Sequence, residues 1–544
     1  MTTTSTTTTK TVELKNSRHQ IPAGSRALRR TNGRRWLELT LGIRRGKPLP
    51  DLAALDAQLP RKRSYLSRQT LAGVYGSDPA AVAAIQAFAK AHQLVVTRDD
   101  RASARLGLAV TVADLSAAFG VTLFDYSHAS LGNFHARTGT VNLPPELAGS
   151  ITGVFGFSNY RILRRELKTY PKAEVKATSA RPWFIPSELA PIYAFPDANA
   201  QSQCIGVLEF GGGVETADVT SYFQKIGQPA PTIKVIGLDG ITSDPSADPD
   251  STTEVMLDID VVGALGAGAT IAVYFSTFDE KGLVDALGKV IEDSTNDPSV
   301  VSISWGWAEN ESDGSSVLWS PAAIEHCNES FLAAAQLGIT VCVSTGDDGA
   351  EAQIKDGRAH VNFPASSPYV LAVGGTTLHV QKDAQGQQQI TEVVWNDGPG
   401  SGTGGGVSVD TPVPPWQAGK VPVSINPGHF AGRAIPDVAA NADPQTGYLT
   451  MSGGKLNIVG GTSASAPLWA SLIARINALL GARVGNFNAL LYSTIGPEGT
   501  LRDITSGDND TDGLLDGLYR AGPGWDACTG WGAPNGVKLL KALQ

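Results

Sequence analysis

Cysteine is scarce in this chain of 544 residues. There are four, Cys204, Cys327, Cys342 and Cys528, scattered without the paired spacing of a metal site. That argues against a structural zinc and leaves at most an opportunistic disulfide, since an isolated Cys in a strand-like run such as TVCVS is ordinary core. No apolar run is long enough to cross a bilayer, so no membrane partner is expected. The N-terminus, MTTTSTTTTKTVELKN, lacks the apolar core of a secretory signal, so Sec export cannot be inferred from it. Histidine, too, is missing where hydrolytic chemistry would want it. None of the eight sits in a segment built to activate a serine, and the four beyond residue 178, His326, His360, His379 and His429, show no metal spacing.

What is present is a serine in a telling place. Gly460–Pro467 reads GGTSASAP and runs into the apolar stretch LWASLIARINALL, which puts Ser463 at the mouth of a helix where it can serve as a nucleophile. With no histidine beside it, another group must take its proton. Ser251–Gly268, STTEVMLDIDVVGALGAG, opens with Ser/Thr residues suited to cap a helix and continues with apolar residues at helical spacing. Glu254 and Asp258 are four apart in it and share one helix face. A buried Glu held by an Asp can act as base toward a serine hydroxyl. A carboxylate of ordinary pKa, about 4.3, still accepts a proton where an imidazole of about 6.5 is already charged, so this pairing predicts an acid enzyme.

Together these segments resemble the sedolisin family of serine-carboxyl peptidases, and within it the kumamolisin branch. The matching pieces follow family order: IGVLEFGGG at Ile205–Gly213, the Glu254/Asp258 helix, SISWGW at Ser302–Trp307, STGDDG at Ser344–Gly349, FPASSPYVLAVGGT at Phe363–Thr376, RAIPDVAANADPQTGY at Arg433–Tyr448, and the serine octet. The resemblance implies that Ser463 is the nucleophile, Glu254 the general base, Asp258 its partner and Asp347 the oxyanion donor. It further implies that Glu209 and Trp305 extend the network behind Glu254. A carboxyl donates a hydrogen bond only when protonated, so Asp347 should have a raised pKa while part of the Glu254/Asp258 pair stays ionised.

Charge divides the chain. Residues 1–178 hold 26 Lys+Arg and 12 Asp+Glu, a formal +14, whereas the remainder holds 17 and 40, a formal −23. Basic segments usually prompt a nucleic-acid reading, but these arginines are dispersed and no nucleic-acid motif is present. The better reading is an inhibitory propeptide whose electrostatic partner is its own acidic catalytic domain, with acid weakening the attraction. The expected organisation is a disordered tail over 1–18, an α+β propeptide of ferredoxin-like type over 19–160, a linker with the maturation site over 161–178, and a catalytic domain over 179–544. In the propeptide, strand-like WLELTLGI, VVT and ARLGLAVTV alternate with helical runs at Asp51–Leu59, Pro79–Ala91 and Val112–Phe119. In the catalytic part, CIGVLEF, ATIAVYF, SVVSISW, TVCVSTG and YVLAVGG alternate with helices, the pattern of an α/β fold with a parallel sheet covered on both faces. By resemblance that domain is subtilisin-like.

Near the C-terminus, RDITSGDNDTDGLLDGLYRAGPGWDACTGWG clusters oxygen donors suited to calcium. The resemblance implies one structural Ca2+ on Asp503, Ile504, Gly522, Gly524 and Asp526. Asp508, Asp510 and Asp512 begin like an EF-hand loop but lack its closing Glu, since Tyr519 stands there. Gly398–Gly406, GPGSGTGGG, lacks the Lys-Ser/Thr ending of a phosphate loop and by resemblance lies near the substrate cleft. The expected protein is a monomeric, extracellular, self-processing zymogen of an acid endopeptidase, acting on proteins or peptides and without nucleic-acid or membrane partners. Two other readings share parts of the pattern: a histidine-dependent subtilase and a catalytically idle binding protein on the same fold.

Overall fold

Runs such as CIGVLE and TIAVYF are apolar at consecutive positions, which suits strands covered on both faces. They assemble into an eight-stranded sheet in the order Thr232–Gly237, Thr270–Phe275, Cys204–Glu209, Val300–Ile303, Thr340–Ser344, Leu371–Lys382, Gln388–Val394, with Val438–Asn441 also pairing Leu371–Lys382. All pairings are parallel except the last hairpin, where Leu371–Lys382 meets Gln388–Val394 antiparallel. The computed structural model describes residues 11–169, 181–309, 319–354, 356–383, 385–517 and 519–544.

Alternation along each strand sends its side chains to two cores. Ile205, Val207, Ile271 and Val273 pack with helices Pro249–Leu265 and Thr462–Leu480 on one face. Leu208, Tyr274, Val301 and Ile303 pack with helices Glu280–Glu292 and Pro321–Gln336 on the other. This is the expected subtilisin-like α/β layering. Glu209 is in step with Ile205 and Val207, so it falls on the face of the Glu254 and Ser463 helices.

The N-terminal domain runs strand Trp36–Ile43, helix Pro79–Ala91, strands Val95–Asp100 and Arg105–Thr111, helix Val112–Phe119, strand Ile151–Phe155. The antiparallel sheet places the first strand between the third and fourth, the ferredoxin-like βαββαβ arrangement. Two expectations need correction. Residues 11–18 of the expected disordered tail instead join the domain, since Val12–Glu13 pairs with Asn142–Leu143 and Leu14 is buried in the domain core; residues 1–10 lie outside the described residues. The Glu254 helix starts earlier than the Ser/Thr run suggested. Asp248 is its cap, accepting from the Ser251 amide at 3.1 Å, with Pro249 in the first turn.

The two domains meet across a buried charge cluster centred on Asp285, in the helix Glu280–Glu292. Its carboxylate receives Arg98, Arg105 at 3.0 Å and the Thr40 hydroxyl at 2.8 Å from the N-terminal domain, and Lys281 at 2.7 Å from its own helix. Gly288 makes room for this, since a Cβ there would collide with the Arg105 guanidinium. Burial alone would raise Asp285, but Lys281, Arg105 and Arg98 outweigh it and hold the carboxyl below the ordinary range. A depressed pKa gives stability that is lost only as pH falls through the depressed value, so this clamp keeps its charge in mild acid. Acid neutralisation of the interface therefore does not begin at Asp285. Burial and the Asp285 charge raise neighbouring Asp239 instead.

Removing one member of a buried charge group strands the others, typically at a cost of about 3–5 kcal/mol. In a Ser463→Ala background, which keeps the chain whole, Asp285→Ala is expected to lower stability toward urea by about that amount. An unfolding curve superimposable on that of the parent would show that the cluster does not hold the domains together.

Candidate active site

Ser463 is the second residue of the helix Thr462–Leu480. The turn into this helix is Gly461, whose φ of 114° is closed to most side chains and whose missing Cβ leaves space for Asp347 Oδ2 and the Glu166 carbonyl. Pro467 lies inside the helix and has no amide hydrogen, so the Ser463 carbonyl loses its usual intrahelical donor. Ser304 Oγ sits 3.3 Å from that carbonyl in its place. The Ser463 hydroxyl is fully buried and lies 3.4 Å from the Ser304 carbonyl.

Glu254 and Asp258 stand one turn apart on their helix and are both completely enclosed. Ser304 Oγ is 2.9 Å from each Asp258 oxygen. Behind them Glu209, the last residue of its strand, accepts from the Trp305 indole at 2.9 Å. Burial raises all three carboxyls well above their ordinary values; the charge of Asp258 adds to this at both Glu254 and Glu209. A protonated Asp258 can donate to Ser304 Oγ, freeing the serine hydrogen for the Ser463 carbonyl. The Ser463 hydroxyl opposes the shift at Glu254, being close enough to favour its charge although neither Glu254 oxygen completes a hydrogen bond.

Asp347 follows the strand Thr340–Ser344. Its Oδ1 accepts from the amide and hydroxyl of Thr462 at 2.7 and 2.9 Å, while Oδ2 has no partner. Burial pushes its carboxyl up to about 6, against the lowering effects of Lys168 and Thr462. The glycine-rich loop braces this turn, with Gly402 and Gly404 donating to the Asp347 and Gly346 carbonyls at 3.0 and 2.8 Å. Glu209, Ser304 and Asp347 thus all sit at the carboxyl ends of neighbouring parallel strands, where open α/β sheets hold their ligands. The structure brings together all six residues singled out in the sequence.

Sequence reasoning missed Glu166, Ser304 and Asn362. Residues 164–169 of the linker cross the cleft with two short strands, Arg164–Arg165 and Lys168–Thr169, on either side of Glu166 and Leu167. Arg164–Arg165 pairs antiparallel with Trp305–Gly306, and Lys168–Thr169 with Val459–Gly460. Between them Glu166 donates its amide to the Ser304 carbonyl at 3.2 Å and accepts at its own carbonyl from the Ser463 amide at 3.1 Å. Residues 170–178 of the expected linker lie outside the described residues. The surplus of linker arginines over acids was the available signal. No histidine takes a place beside Ser463: among the described residues His326 packs on Phe155 at the domain interface and His360 pairs with Asp356.

Residues 25–160 match the Pro-kumamolisin activation domain, and residues 249–532 match the Subtilase family. The chain is 42% identical to kumamolisin of Bacillus sp. (strain MN-32), over 90% of this chain and 87% of that one. It belongs to the sedolisin family and is kumamolisin-like. It is 30% identical to sedolisin of Pseudomonas sp. (strain 101), over 79% of this chain and 73% of that one. The crystal structure of Pseudomonas sedolisin, a serine-carboxyl proteinase complexed with pseudo-iodotyrostatin, superimposes with a TM-score of 0.56 at 29% identity, covering 66% of this chain and 98% of that one. The protein is accordingly a serine-carboxyl peptidase preceded by an activation domain.

At the expected calcium position, the described residues of this sedolisin-family chain form an oxygen-rich nest. Asp503 accepts from the Gly524 amide at 2.9 Å, and Asp526 from Gly522 at 3.3 Å and Thr529 at 2.8 Å. Burial pushes Asp526 up to about 6, a cost that a bound cation would offset. The expected ligands are all hard oxygens, the donor chemistry calcium takes. In the rival EF-hand segment, which lacks the closing Glu, Asp510 accepts from the amides of Leu514, Leu515 and Gly517.

Gly461→Ala tests the arrangement around Asp347. The added methyl must push Asp347 or the bound chain away, so kcat/KM is expected to fall roughly 10²-fold or more, the usual effect of losing one oxyanion donor. Circular dichroism should remain unchanged; full activity in the variant would remove Asp347 from the site's working geometry.

Proposed function

We propose that this chain is the self-processing zymogen of an acid-acting endopeptidase in which Ser463 forms an acyl-enzyme. Ser463 Oγ attacks the substrate carbonyl and Glu254 takes its proton, with Asp258 sharing the charge and Glu209 and Trp305 extending the network. The tetrahedral oxyanion receives hydrogen bonds from the Ser463 amide and the protonated Asp347. Glu254 returns the proton to the leaving amine, and water then repeats the sequence to release the acid. One observation carries this reading: among the described residues, a fully buried serine at a helix N-terminus has carboxyl groups around it and no histidine beside it.

Acid action follows from opposed requirements. Asp347 donates only while protonated, below about 6. The Glu254, Asp258 and Glu209 cluster must keep at least one negative charge to accept the serine proton. A bell-shaped profile is expected, with its alkaline limb near that Asp347 value; a plateau extending beyond neutral pH would contradict it. Glu254→Gln should lose about 10²–10⁴ in kcat, whereas a histidine-dependent enzyme would keep its rate. Asp347→Asn carries a donor at every pH, so its residual activity should lack the alkaline limb.

We also assign one structural Ca2+ to the carboxylates of Asp503 and Asp526 and the carbonyls of Ile504, Gly522 and Gly524, supported by their oxygen-only chemistry. Calcium at a hundredfold excess over Kd should add about 2.7 kcal/mol of stability, removed by EDTA and absent in Asp526→Ala. Thermal melts with and without EDTA read this directly. The reading includes protein or peptide substrates, a monomer acting outside the cell, and no nucleic-acid or membrane partner. What supports leaving out nucleic acid is that Arg98 and Arg105 are turned onto Asp285, Arg45 onto Glu329 and Arg68 onto Asp297 of this same chain.

A further inference from the structure

We propose that the maturation bond is Glu166–Leu167, and that the cleft around it selects glutamate before the cleaved bond, arginine upstream and lysine two residues downstream. This rests on the reading of Ser463 as nucleophile.

The backbone identifies the bond. Residues on both sides of Glu166 are strand-paired to the catalytic domain, so the chain is held extended through the cleft as a substrate would be. The carbonyl that accepts from the Ser463 amide is that of Glu166. The same oxygen and the unpartnered Asp347 Oδ2 crowd the single space that Gly461 leaves open, so the carbonyl already occupies the position where an oxyanion would be stabilised. Attack there makes the ester between Ser463 Oγ and the Glu166 carbonyl carbon, breaks the bond to the Leu167 nitrogen and leaves that amine protonated. Water then cleaves the ester and frees the Glu166 carboxyl group.

The side chains identify the preference. Glu166 is 3% exposed, and its two carboxyl oxygens face two donors, Asn362 Nδ2 at 3.0 Å and the Asp347 amide at 3.1 Å. As the pocket is arranged, an amide side chain would set its own NH2 against the Asp347 amide or against Asn362 Nδ2. Burial and the nearby Asp347 charge raise the Glu166 carboxyl well above its ordinary value; even when protonated its hydroxyl oxygen can still accept from a donor, which an amide nitrogen cannot. Arg164 lies over the Trp307 ring at 3.2 Å, and Arg165 meets Asp250 at 3.4 Å. Beyond the bond, Leu167 packs on the main core and Lys168 meets Asp348 at 2.7 Å.

The test acidifies full-length protein to about pH 4, where ordinary carboxylates begin to take up protons, and follows intact mass and new N-termini with time. The first new N-terminus should be Leu167 in wild type, with Ser463→Ala remaining whole. In parallel, matured enzyme is given the peptide Ile-Leu-Arg-Arg-Glu-Leu-Lys-Thr and its Glu→Gln counterpart. Cleavage at Glu-Leu should exceed cleavage of the Gln peptide by about tenfold, the scale of one lost buried hydrogen bond, and Asn362→Leu should narrow that ratio. A first cut at another bond by an enzyme that digests added protein overturns the bond assignment and leaves the function intact. Equal rates on the two peptides overturn the preference. A wild-type chain that cuts neither itself nor any added protein removes the proposed function, and this inference with it.

Discussion

Five carboxyl groups with almost no access to water surround one serine: Glu166, Glu209, Glu254, Asp258 and Asp347. Carboxylates cannot all remain charged at such low dielectric and close range, so the site must hold protons where an exposed cluster would shed them. Every other feature of the cleft serves that condition. Trp305, Ser304 and the Thr462 amide and hydroxyl each hold a particular oxygen, which leaves Glu254 and Asp347 Oδ2 as the unpartnered groups facing Ser463. On the proposed roles those are the oxygens that move a proton and donate a hydrogen bond during the reaction. The unsatisfied buried atoms of the cleft thus include the working ones, as expected where a fold tolerates incomplete hydrogen bonding for chemistry.

The serine helix ties these groups to the sheet. Pro467 removes one intrahelical bond, and the carbonyl it frees is the one next to Ser304, whose hydroxyl also touches Asp258. Gly461 lets the same helix begin close against Asp347. Helix start, proline position and strand end therefore have to agree within a few tenths of an ångström, a demand that a buried position between packed layers can meet and a surface loop cannot.

Local patterns carried much of this in the sequence. Glu254 and Asp258 are paired by helical spacing and Ser463 is placed by the turn into an apolar helix, whereas Asp347, in a turn like many others, stands out only through the family resemblance; the central strands are apolar runs that a parallel sheet requires. The order of elements in the N-terminal domain was visible for the same reason. What was hidden depends on partners distant in the chain. Asp248 outcompetes Ser251 as helix cap because Pro249 fixes the first turn. Glu166 looks like any charged linker residue until Asn362 and the Asp347 amide close around it. The edge strand Thr232–Gly237 alternates weakly because much of it faces solvent.

The arrangement also separates two roles that acid might have shared. The domain clamp at Asp285 keeps its charge in mild acid because three cations surround it. The Asp347 carboxyl, buried and without an oxygen-bound cation of its own, gains its proton near 6. As pH falls, the proposed oxyanion donor is therefore completed while this anchor of the N-terminal domain is still in place. The linker then lies in the cleft as a positioned chain beside a newly competent serine, and cutting it precedes loss of the Asp285 clamp. On that reasoning the trigger for maturation is the catalytic site's own protonation, and separation of the domains follows from the broken linker.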